Sequence, residues 1–342
     1  MSMLRFPAVI VVLAAAALPS VANDTFVTLG AGGLVPLKSS EVVMESEALQ
    51  ISTHEVKVQY VFRNNSDHDV SATVAFPLPE VDGSTVENSP LKLPTKDPVN
   101  FVGFTALVDG KPLATQVEIR AFKDGQDIAA RLRSLGLPLS VLDPGMKSAI
   151  GKLSQAQRSQ LIKDKLIVEE ERTSGGRAEI YIWPWWQTRI QYYWTQRFPA
   201  RSAVQLQQAY HPVVGGSYIL TSDDGTWAVE PYCGGADALR RIRELKQKHA
   251  AKPHPPTIKG QAFDDDPPAL LERRIQYILT TANNWSGPIR RFRLTVAGDS
   301  PEDIVLTCMS GLKRVAPGRY ELVRSDFRPD QDLELLILRL WK

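Results

Sequence analysis

Strict alternation of apolar and polar side chains most limits what this chain can fold into. Val56, Val58, Tyr60 and Phe62 share one side while Lys57 and Gln59 take the other. Val70, Ala72, Val74 and Phe76 repeat the pattern after Asn64-Asn65-Ser66-Asp67. A two-residue period sends every second side chain to one sheet face, so each segment reads as a half-buried strand and the pair as a hairpin. Phe76-Pro77-Leu78-Pro79 closes it, because proline has no N–H to offer a ladder.

The same reading predicts strands over 101–108, 112–122, 178–183, 188–197, 203–210, 217–221, 226–230, 272–280, 289–297, 303–309, 319–325 and 332–340. The last is apolar on both sides, which predicts a central strand. Helical spacing is confined to 128–135, to 154–166 with Ser154 as N-cap, and to 236–250. The basic residues of that third helix read as a solvated amphipathic face. The expected fold class is mainly β, with two β-sandwich-like domains, a short helical insertion and a few small helices. Its expected boundaries are an N-terminal β domain over 23–125, the insertion over 126–170 and a C-terminal β domain over 171–342, with a Pro-rich connection at 252–268.

Residues 1–22 read as an export signal. Arg5 is followed by an apolar run from Phe6 to Leu18 and then by Ser20 and Ala22, with cleavage expected after Ala22. That run falls short of the roughly 20 residues that span a bilayer. The expected location is therefore periplasmic or secreted, with no transmembrane segment after cleavage. In an oxidising compartment the two cysteines, Cys233 and Cys308, predict one disulfide. The formal net charge of the chain is only +2, so nothing in it calls for nucleic acid as a partner.

Chemistry is harder to find. Gly298-Asp299-Ser300 precedes Pro301 between two predicted strands and reads as a turn, and no Gly-x-Ser-x-Gly occurs. The histidines have no metal-ligand spacing, and neither Asp264-Asp265-Asp266 nor Asp326, Asp330 and Asp332 follows a calcium-loop pattern. Gly30-Ala31-Gly32-Gly33 leads into Leu34-Val35-Pro36 rather than a helix, so it reads as a turn and not a phosphate cradle. No metal and no cofactor is expected.

Aromatic residues concentrate between Tyr181 and Phe198. Trp183, Trp185, Trp186, Tyr192 and Trp194 are the candidate binding residues, since exposed indole and phenol rings make platforms for sugars. Packing in a core or interface is the competing reading. Alternation sends Tyr192 and Trp194 to one face and Tyr193 to the other.

Several segments together resemble a bacterial exported family, that of domain of unknown function 4424, over nearly the whole chain beyond the signal. They are Gly32-Gly33-Leu34, Tyr60-x-Phe62-x-Asn64, Ala75-Phe76-Pro77-Leu78-Pro79 and Tyr277-Ile278-Leu279-Thr280-Thr281. Asn284-Trp285, Gly287-Pro288-Ile289 and Asp326-Phe327-x-Pro329-Asp330-x-Asp332-Leu333 complete the set. The resemblance supplies no catalytic residues. Tyr60–Pro79 is also similar to the β domain of the vault and inter-alpha-trypsin type, which implies a β-sandwich. The expected function is a non-catalytic binding or structural role in the envelope, with a protein or glycan partner. The alternative is a hydrolase of cell-wall or sugar polymers, for which Asp299, Glu302, Asp326 and Asp330 are the candidate carboxylates.

Overall fold

The computed structural model describes residues 25–30, 33–36, 38–88, 93–174, 177–250 and 268–341. The expected signal, all of the Pro-rich connection except Pro268, and Ala31 and Gly32 of the glycine turn lie outside the described residues. So does Asp264-Asp265-Asp266.

The fold is mainly β. Among the described residues the strands form an eight-stranded sheet, a seven-stranded sheet, a four-stranded sheet and a two-stranded arm. The order across the eight-stranded sheet is Lys313–Ala316, Arg319–Phe327, Ile289–Ala297, Val42–Ile51, Val56–Asn64, Ala203–Tyr210, Thr105–Val108 and Lys111–Pro112. Neighbours run antiparallel except Ile289–Ala297 and Val42–Ile51, which pair in parallel with Arg291 beside Ser46. At the centre of the seven-stranded sheet, Gln187–Phe198 lies between Gln116–Lys123 and Val70–Pro77. Segments from before and after the helical stretch therefore share both large sheets.

Burial follows the alternation. Val56, Val58, Tyr60 and Phe62 are buried, whereas Lys57 and Gln59 are exposed. The inner faces of the two large sheets meet through Phe62 and Phe198, ring centroids 6.0 Å apart, and Phe76 and Tyr210, 5.5 Å apart. Ile275, Tyr277, Leu335 and Ile337 of the four-stranded sheet join the same core. The other side of that sheet packs Leu270, Leu336 and Leu338 against Ile242 and Leu245 of the helix Ala236–Ala250. The strand Leu333–Leu340 thus lies inside its sheet with apolar contacts on both faces, as its sequence predicts.

The predicted hairpin over 56–62 and 70–76 is not formed. Val56–Asn64 pairs within the eight-stranded sheet and Val70–Pro77 within the seven-stranded one. Both bury their apolar side into one core, and alternation reports which side is buried, not which strand is the neighbour. The strand predicted over 226–230 is instead the short helix Thr226–Val229, continued by a 3-10 turn over Glu230–Tyr232. Gly225 is its N-cap, in the left-handed region, and Asp224 just before it accepts the Thr226 N–H at 2.8 Å. Ser154 caps the helix Gln155–Lys163 in a reciprocal capping box with Gln157.

Candidate functional site

The aromatic segment is spent largely on packing. Trp183, Trp186, Tyr192 and Trp194 are all buried, and Trp185 is half-buried. Tyr192 and Trp194 point inward from Gln187–Phe198, where Tyr192 stacks on Phe104 with centroids 5.0 Å apart. Tyr193 takes the opposite side, as alternation requires. The Trp186 indole N–H donates to the carbonyl of Leu139 at 2.9 Å. Thr188 donates its hydroxyl to that same carbonyl at 3.0 Å and accepts the Val141 N–H at 3.0 Å. Trp186 and Thr188 thereby pin the helical stretch onto the seven-stranded sheet. Four of the five rings are inside, so these residues do not form an exposed sugar platform.

The carboxylates considered for hydrolysis are dispersed among other duties. Asp299 accepts the Thr53 hydroxyl at 2.7 Å and pairs with Arg339. Asp303 accepts the N–H groups of Asp299 at 2.8 Å and Ser300 at 3.1 Å, so Gly298-Asp299-Ser300 is a turn held by a buried carboxylate. Glu302 pairs with Lys248 at 2.5 Å. Asp326 and Asp330 are exposed. Cys233 and Cys308 form a disulfide. Among the described residues no three His, Cys, Asp or Glu side chains are grouped to hold a metal ion. Within the same residues no helix is long and apolar enough to cross a membrane.

Among the described residues the outer face of the eight-stranded sheet is exposed at Gln50, Lys57, Gln59, Arg291, Arg293 and Val323. The register places Gln50 of Val42–Ile51 beside Lys57 on one side and Thr295 on the other. Gln59 lies beside Gln207, and Arg293 lies between Ala48 and Val323. These are the outward residues of strands whose alternate positions form the core, so folding exposes them together. Gln50, Ser52, Glu55, Lys57, Thr295 and Arg319 border a shallow depression of about 390 Å³ at one corner of this face.

The charge of this face is not balanced. Its bordering carboxylates are each taken by a cation: Glu45 by Arg63 at 2.6 Å, Glu55 by Lys57 at 2.7 Å and Glu321 by Arg319 at 3.0 Å. Arg291 and Arg293 are exposed and have no ion pair among the described residues. The outer side of the seven-stranded sheet differs, since Arg189, Arg197 and Arg120 there each meet an acid, Glu80, Asp69 and Asp127 respectively. The basic face is not legible in the composition, because a near-zero net charge sums over the chain and hides segregation. Its signal lay in the strand 289–297, where Arg291 and Arg293 alternate with the buried Phe292, Leu294 and Val296.

No curated protein matches the chain. A solved crystal structure from Legionella pneumophila, described as a candidate nutrient binding protein, is similar over 93% of this chain and 70% of its own. The identity is 13% and the TM-score 0.43. The profile of the family described as Domain of unknown function (DUF4424) matches residues 22–336, and the chain belongs to that family.

Proposed function

We propose that this is a non-catalytic binding protein of an exported compartment, which holds an acidic polymer on the outer face of its eight-stranded sheet. The observation that carries this reading is the exposed pair Arg291 and Arg293, without acidic partners among the described residues. The pair stands in a flat field of Gln50, Gln59, Gln207 and Thr295. Guanidinium groups dock carboxylates in a two-pronged geometry, and side-chain amides serve hydroxyls, so an acidic polysaccharide matches both donor types. An open face with only a shallow corner depression suits an extended chain better than a small molecule. The export signal read from residues 1–22 and the disulfide support an oxidising location.

Binding to polygalacturonate and to neutral dextran tests the reading. Polygalacturonate is expected to bind at about 0.05 M salt and to weaken strongly at about 0.5 M, because exposed ion pairs are screened. Arg291→Glu with Arg293→Glu is expected to abolish binding while leaving the circular dichroism unchanged. Equal affinity for dextran, or indifference to the double reversal, would overturn it.

A further inference from the structure

We infer that the protein self-associates by seating the two-stranded arm of one copy on the basic sheet face of another, where the arm and an acidic polymer compete. The competition rests on the function proposed above; the self-contact does not.

The arm consists of Ile167–Ser174 and Arg177–Pro184 in antiparallel register and pairs with no further strand among the described residues. Its two faces differ. On one, Arg172 lies over the rings of Tyr181 at 5.0 Å and Trp183 at 5.1 Å, and pairs with Glu170. On the other, Glu169 faces Ile182 across the ladder and Glu171 faces Ile180. Glu169 and Glu171 are exposed and have no ion pair among the described residues. Ile180 is 59% exposed. Its base is anchored, since Ile167 and Trp183 are buried and Ile182 packs on the chain's own core, but the part that carries Glu169, Glu171 and Ile180 is exposed and gains from being covered.

The sheet face carries the complementary pattern. Arg291 and Arg293 are spaced two residues apart on one strand, as are Glu169 and Glu171, about 6.6 Å in each case. Val323 lies directly opposite Arg293, as Ile180 lies opposite Glu171. Such cross-strand neighbours sit about 5 Å apart. Val323 is 62% exposed, and it and Ile180 are the two most exposed large apolar side chains among the described residues. Each therefore stands beside a pair of like charges, acidic on the arm and basic on the sheet. Within one chain the two patches make no ion pair with each other among the described residues, so the match is available to a second copy. Arm and sheet would stack face to face, bringing the two apolar side chains together and each acid to an arginine.

Sedimentation of the purified protein tests this. At about 0.05 M salt the weight-average mass is expected to rise with concentration, and at about 0.5 M to fall to that of one chain. Glu169→Arg with Glu171→Arg should stay a single chain, as should Arg291→Glu with Arg293→Glu, both with native circular dichroism. An equimolar mixture of the two should associate again, since each then offers the other a matched patch. A wild type that remains single throughout, or a mixture that does not associate, would overturn the inference. Glu169→Gln with Glu171→Gln should weaken self-association at least about tenfold yet bind a short oligogalacturonate no more weakly than wild type. That oligomer should also dissociate the wild type. Binding without self-association sinks only this inference; self-association without binding sinks only the polymer reading.

Discussion

The hydroxyls of Tyr60 and Tyr277 meet at 2.9 Å inside the core, although one belongs to the eight-stranded sheet and the other to the four-stranded sheet. Tyr277 donates its proton to Glu47 Oε1 at 3.2 Å, which leaves Tyr60 as the donor to Tyr277. All three side chains are buried. Tyr277→Phe deprives Glu47 of a donor and Tyr60 of an acceptor together, so a loss of about 1–3 kcal/mol is expected in urea unfolding. Tyr60→Phe leaves the Tyr277–Glu47 bond in place and should cost less.

Alkaline pH should act on the same centre. Burial holds the Tyr277 hydroxyl well above the usual tyrosine range, with Tyr60 and Glu47 adding to it. Burial also raises Tyr210, and it pushes Tyr192 up to about 12. These groups keep their protons when folded at a pH where the unfolded chain has lost them. Their contribution is therefore complete below about pH 10 and declines as pH rises from there toward the folded values. Chemical denaturation at a series of pH values should show stability falling above about pH 10, and a flat profile to pH 12 would contradict this assignment.

Reduction of Cys233–Cys308 should destabilise without unravelling the core. The bond closes a sequence separation of 75 residues, for which chain entropy allows up to about 4.5 kcal/mol. It ties the 3-10 turn Glu230–Tyr232 and the chain beyond Ile304–Leu306 to one another. Unfolding midpoints with and without dithiothreitol measure the effect, and a Cys233→Ser, Cys308→Ser protein should match the reduced wild type.

Among the tryptophans, Trp186 and Trp185 should separate sharply. Trp186 is 1% exposed and anchors Leu139, so Trp186→Ala should cost about 3–5 kcal/mol in thermal or urea unfolding. Trp185 is half-buried and borders Trp183 at 6.3 Å between ring centroids, so its loss should cost less than half as much.

How far the sequence carries depends on which physical signal an element leaves in it. Strands 203–210 and 289–297 coincide with the observed Ala203–Tyr210 and Ile289–Ala297, because each has one wet and one dry side. Val42–Ile51 escaped notice although it is central. A bulge between Met44 and Ser46 breaks its period, and it buries Glu47. Ile167–Ser174 escaped for the opposite reason: beyond the buried Ile167 the strand is mostly exposed and leaves almost no apolar pattern, only Glu169-Glu170-Glu171. The aromatic segment was legible as unusual, but periodicity cannot tell a buried ring from an exposed one. The polar field around Arg291 and Arg293 was hidden because it is assembled from strands remote in sequence.

The parallel contact between Val42–Ile51 and Ile289–Ala297 has a kinetic consequence. One flank of the early strand finds its partner Val56–Asn64 within a few residues, but the other flank waits for Ile289–Ala297, far along the sequence. Through synthesis, and through any passage across a membrane, that flank is an open row of amides and carbonyls able to template foreign strands. Closing it demands a loop that runs from Ile51 to Ile289, and contacts of such high sequence separation form slowly. The sheet is thus a clasp that cannot fasten until Ile289–Ala297 has been made.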